Sequence, residues 1–130
     1  LVLLNERLLR RHRGLHRRLG WVQVVVLLGL VLPSSLVMAR HAFGGWPAGL
    51  SFAVLSVATA GCVVAGVVHA VRRRYAPHRW WMLRCYVLLC SAVVLRLTSG
   101  AAGLVGVTDP EAAYVAAAWA SWLVPLAGFE

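Results

Sequence analysis

The chain contains no lysine and only four acidic residues, Glu6, Asp109, Glu111 and Glu130. Set against thirteen arginines, they leave a formal net charge of +9. No carboxylate stands inside the long apolar runs, so paired carboxylates for acid/base work and a carboxylate proton relay are both unsupported. There is no Ser-His-Asp set, no glycine-rich phosphate loop and no H-E-x-x-H zinc signature, which argues against a conventional hydrolase or pump. The three cysteines, Cys62, Cys85 and Cys90, make no C-x-x-C pair and fall inside apolar stretches. They read as reduced, packed small hydrophobes.

Apolar surface is what the sequence has in excess. The 130 residues are 61% hydrophobic and 13% charged, with a mean hydropathy of +0.77, well beyond the apolar share of a soluble domain of this size. This is the composition of an integral membrane protein. A pI near 11.3 raises nucleic acid as a partner, but the arginines flank apolar spans and form no solvated face, so the expected anionic partner is lipid and not nucleic acid.

Four spans follow from the uncharged runs, at about 19–40, 46–71, 79–99 and 112–129. At about 1.5 Å per residue, a run of some twenty residues reaches the roughly 30 Å of the hydrocarbon core. Spans of this length are helices, since barrel strands are half as long, and the predicted fold class is an all-α polytopic transmembrane bundle. Six arginines lie within residues 7–18 and four within 72–79, whereas the connection after the first span has Arg40 alone and the connection after the third has none. The excess of arginine in short loops on the cytoplasmic side predicts that both basic segments face the cytoplasm of a bacterial inner membrane. The opening LVLLN, with no initiating Met, resembles the tail of an earlier apolar stretch. The expected organisation is therefore a lost upstream helix, a basic cytoplasmic segment over 1–18 and a four-helix membrane domain over 19–130.

Packing signals are present as well. In the second span Ala58, Cys62, Gly66 and Ala70 recur every fourth residue, a small-residue stripe that admits close approach of a neighbouring backbone. His69 projects from the same side and is expected to face the bundle. Pro33 predicts a kink in the first span, because it removes the bond to the Gly29 carbonyl, with Ser34 and Ser35 at hand to compensate.

His16, His69 and His78 all belong near the basic end. Two neutral imidazoles at matched depth on facing helices are what axial ligation of haem b requires, with Arg79 and Arg84 placed to balance propionate charge. The same group would dock a quinone. The simpler reading is that polar and aromatic residues at span ends, including Trp80 and Trp81, anchor in the headgroup region, with Arg84 snorkelling towards phosphates or stacking on a tryptophan. Arg96, near the opposite surface, is expected to pair with Asp109 or Glu111.

The stretches LHRRLGW, FGGWPAGLSF, HRWWMLRCYVLLCSAVVLRL and AWASWLVPLAGFE resemble the bacterial predicted membrane proteins grouped as domain of unknown function 2306. The resemblance runs from about Arg13 to Glu130. It rests most on His78, Arg79, Trp81, Met82, Arg84 and Tyr86, followed by Arg96, and on His16, Arg17 and Gly20 at the start of the first span. It implies a multi-span bundle with further helices upstream and assigns no activity. Two functional expectations result. One is a non-enzymatic structural or accessory bundle, with anionic lipid, a membrane protein or a second copy as partner. The other is a redox protein holding haem b or a quinone at His16, His69, His78, Arg79 and Arg84.

Overall fold

A computed structural model describes residues 13–106 and 108–130; of the basic segment expected over 1–18, positions 1–12 lie outside the described residues. All regular structure among the described residues is helical. The first span comprises α1 (Arg13–Val26), a π-helical segment (Leu27–Val31) and α2 (Leu32–Ala39). It is followed by α3 (Gly45–Val71), α4 (Tyr75–Val105) and α5 (Pro110–Phe129). Four helical stretches, Gly14–Ala39, Gly45–Val71, Tyr75–Val105 and Pro110–Phe129, are long and apolar enough to cross a membrane. Large side chains such as Val25, Leu30, Met38, Leu97 and Leu104 stand exposed around the bundle, as a hydrocarbon solvent permits and water does not.

The first span accommodates Pro33 without a break. With no N–H on Pro33, the preceding turn widens, and the Leu32 N–H reaches back five residues to the Leu27 carbonyl. The Ser34 hydroxyl donates to the Val31 carbonyl at 3.0 Å. Ser35 donates to the Leu32 carbonyl at 2.8 Å and its hydroxyl also meets that of Ser56 on α3 at 2.8 Å, tying α2 to its neighbour.

The third helix boundary differs from the expected 79–99 at both ends. Helix α4 starts at Tyr75, and Pro77 sits inside its first turn, where the missing N–H had no partner to lose. The backbone ladder begins with the His78 N–H on the Arg74 carbonyl at 3.2 Å. At the other end Gly100 and Gly103 do not stop the helix. It ends only at Gly106, whose φ of 68° is the left-handed cap conformation that glycine adopts freely. Helix α5 starts two residues earlier than its apolar run, because Asp109 caps it by accepting the Ala112 N–H at 3.0 Å and Pro110 takes the first helical position.

Helix α4 is central, packing on both α3 and α5, while α3 also touches α5 and receives α2. The core where they meet is formed by Cys62, Val63, Cys85, Leu88 and Trp122. A buried polar link ties α3 to α5: the Ser51 hydroxyl donates to the Ala118 carbonyl and accepts from the Trp122 indole N–H, both at 3.0 Å. Two glycines are fixed by contact. A Cβ on Gly49 would run into the backbone carbonyl of Ala39, and one on Gly66 into the methyl of Met82.

Candidate functional site at the basic end of the bundle

The antiparallel course of the four spans brings the start of α1, the end of α3, the start of α4 and the end of α5 to one end of the molecule. Arg17, Arg18, Arg72, Arg73, Arg74 and Arg79 are all exposed there. The opposite end carries Arg40, Asp109 and Glu111.

Within this end, His78 is placed by α3. Its Nδ1 lies 2.8 Å from the Gly66 carbonyl, and since a carbonyl only accepts, Nδ1 carries the proton. The lone pair of the neutral ring is then on Nε2. The contact exists because Gly66, the third member of the small-residue stripe, lets α4 approach until Met82 covers it. Cys62 and Gly66 are buried, so the stripe does face the neighbouring helix. His69, one turn further along α3, is half-buried with its Nδ1 enclosed and without a hydrogen-bond partner. His16 on α1 shares this end of the bundle with His78 and His69. No cluster of three or more His, Cys, Asp or Glu with metal-binding geometry occurs among the described residues.

Arg84 makes the expected contact with a tryptophan and adds an ion pair that the sequence reading did not name. Its Nε and Nη2 bind the Glu130 carboxylate at 2.6 and 2.7 Å, and its guanidinium lies 4.9 Å from the Trp81 ring centroid. Nη2 donates a hydrogen bond to one carboxylate oxygen, while Nε meets the other as an ion pair only. Trp80 packs edge-on against Phe129 at 5.1 Å between centroids, so α4 and α5 close together at this level. Beneath the ion pair an open cavity of about 450 Å³ is lined by Ala58, Gly61, Cys62, Trp81, Arg84, Leu88, Leu126 and Glu130. Glu130 is the residue that sequence reasoning missed as Arg84's partner. Position 84 precedes the end of α4 by about as many residues as position 130 follows the start of α5, which is the register signal for facing residues in an antiparallel hairpin.

Arg96 departs from expectation. It donates to the Ala92 carbonyl at 3.3 Å, one turn back on its own helix, while Asp109 caps α5. Among the motif residues, Tyr86 is exposed, Trp81 and Met82 are half-buried against the core, and Gly20 on α1 has open space around its Cα.

The family model described as "Predicted membrane protein (DUF2306)" matches residues 1–128. The chain belongs to this family. The match spans all four helical stretches and every motif residue from His16 to Arg96. No curated protein and no solved structure matches the chain. Membership makes it a multi-pass membrane protein and carries no reaction with it.

Proposed function

We propose that the chain is a non-enzymatic structural or accessory bundle of the bacterial inner membrane, with its basic end in the cytoplasm and bound to anionic headgroups. The observation that supports this is the charge layout: Arg17, Arg18, Arg72, Arg73 and Arg74 are exposed at one end, where the single described carboxylate, Glu130, is held by Arg84. Each arginine near an anionic surface contributes about 1 kcal/mol of attraction. Full-length protein in nanodiscs of equal phosphatidylglycerol and phosphatidylcholine is expected to retain the anionic lipid preferentially. Replacing Arg72, Arg73 and Arg74 together by Gln removes about 3 kcal/mol of that attraction and should bring the retained lipid towards the bulk ratio. Unchanged enrichment in the triple variant would sink the reading. Orientation has its own test: a cysteine introduced at Tyr75 should react with an impermeant maleimide only after the cell membrane is opened.

A second reading, haem b or a quinone at the same end, is favoured by one observation. The His78 ring donates its Nδ1–H to a backbone carbonyl, the arrangement by which ligating imidazoles are commonly oriented. Bound there, the group would supply one-electron chemistry. His16 and His78 would hold it from the α1 side, with Arg79 nearby for charge balance. Protein purified from haem-replete cells should then show a reducible Soret band that disappears in His78→Ala and in His16→Ala. A featureless spectrum of the unsubstituted protein overturns the haem form of this reading.

A further inference from the structure

The cavity below Arg84 and Glu130 has two distinct parts. Its wall is apolar and small, made by Ala58, Gly61, Cys62, Leu88 and Leu126 from three different helices. Its rim is an ion pair next to a tryptophan. The volume of about 450 Å³ falls within the roughly 300–1,000 Å³ range of small-ligand sites, and the space beside Gly61 is empty out to 4 Å from where a Cβ would stand.

An ion pair bordering a lipid-facing groove is costly to leave against hydrocarbon, so its unused hydrogen-bonding capacity selects what lies beside it. Arg84 donates one guanidinium N–H, from Nη2, to Glu130, its Nε meets the carboxylate as an ion pair without a hydrogen bond, and N–H groups on Nη1 and Nη2 remain to donate. Glu130 is about half exposed and keeps acceptor capacity on both oxygens. The pair is neutral as a whole, with the two charges in contact. An anionic headgroup attracted by Arg84 is repelled by Glu130, whereas a zwitterion can set each of its charges against the opposite one. Choline has no N–H to give a carboxylate, while a primary ammonium has three. The Trp80–Phe129 contact sets this rim at the level where aromatic side chains line the membrane interface.

The geometry points to this groove as the seat of one phosphatidylethanolamine molecule, with its phosphate on Arg84, its ammonium on Glu130 and an acyl chain along Gly61, Cys62, Leu88 and Leu126. This site is separate from the exposed arginines, which draw anionic lipid. The two differ in lipid class and in residues.

The test is a lipid titration of the full-length protein followed by native mass spectrometry, using phosphatidylethanolamine, phosphatidylcholine and phosphatidylglycerol with identical acyl chains. One ethanolamine lipid is expected to bind about tenfold more tightly than either of the others, the worth of one additional charge-assisted hydrogen bond. Glu130→Gln, which keeps the shape, should reduce that preference to within about twofold. Gly61→Leu, which grows into open space and leaves the packing intact, should weaken all three lipids by blocking the chain. Soluble glycerophosphoethanolamine, the headgroup without tails, should not compete. Arg72, Arg73 and Arg74→Gln should leave the ethanolamine preference unchanged while reducing anionic enrichment. Equal or tighter binding of phosphatidylglycerol to the first site overturns the proposal. So does an ethanolamine preference that survives Glu130→Gln, or binding indifferent to Gly61→Leu.

Discussion

Gly49→Ala is expected to destabilise the bundle by about 3 kcal/mol, the upper part of the range for adding a methyl group to a closed contact. Gly49 is buried on α3, and a Cβ there collides with the Ala39 carbonyl at the end of α2. That obstacle is backbone, so no rotamer change relieves it. The end of α2 must move away, and with it goes the Ser35–Ser56 link that holds α2 on α3. Gly66→Ala meets a nominally similar collision, but with the mobile methyl of Met82, which can swing aside at lower cost. Gly61→Ala meets nothing and should be neutral or stabilising by up to about 1 kcal/mol, since Ala is the better helix former. Unfolding of the three variants in mixed micelles by increasing SDS gives the comparison directly. If Gly49→Ala proves no worse than Gly61→Ala, the α2–α3 contact is not as described.

Truncation of Trp122 is the second large effect. The side chain is 6% exposed and sits in the core cluster with Cys62, Val63, Cys85 and Leu88, while its indole N–H is spent on Ser51 of α3. Trp122→Ala removes that filling and is expected to cost about 3 to 5 kcal/mol. The polar share is smaller. Interhelical hydrogen bonds in membranes average about 0.6 kcal/mol, because alternative partners are found when they break. Trp122→Phe should therefore cost about 1 kcal/mol, and Ser51→Ala a similar amount, with the Ala118 carbonyl still served by Ser121. In a double-mutant cycle, Trp122→Phe and Ser51→Ala should couple, because each removes the same bond. A Trp122→Ala variant that unfolds with wild-type resistance would show that α5 is held by something other than this core.

The membrane spans were legible because a helix crossing hydrocarbon is predominantly apolar over about twenty residues, a pattern the third span keeps despite Arg84 and Arg96. The ends were less legible. Pro77 reads as a start signal, yet a proline is tolerated anywhere in a first turn, and α4 begins at Tyr75. The small-residue stripe around Gly66 was readable from spacing alone, whereas the role of Gly49 depends on how the connection at 40–44 returns the chain, which spacing does not encode. The site was readable only in part. His16, His69 and His78 could be placed at one end by topology, but the bond from His78 to the Gly66 carbonyl follows from how closely α4 packs on α3. Arg84 was seen as a lone charge, and its partner required the register of the α4–α5 hairpin. Arg96 was assigned to the nearest acids, but Asp109 is worth more to α5 as a cap than to a neighbouring guanidinium.

The π-helical segment at Leu27–Val31 also acts as a phase shifter. One turn of wider pitch absorbs the equivalent of an extra residue, and one residue of α-helix corresponds to about 100° of rotation. The azimuth of everything upstream, His16 included, is set there. Regularising Leu27–Val31 to α pitch at unchanged length would turn everything upstream by about 100°, whereas deleting one residue there would remove the wide turn and leave the upstream face where it is.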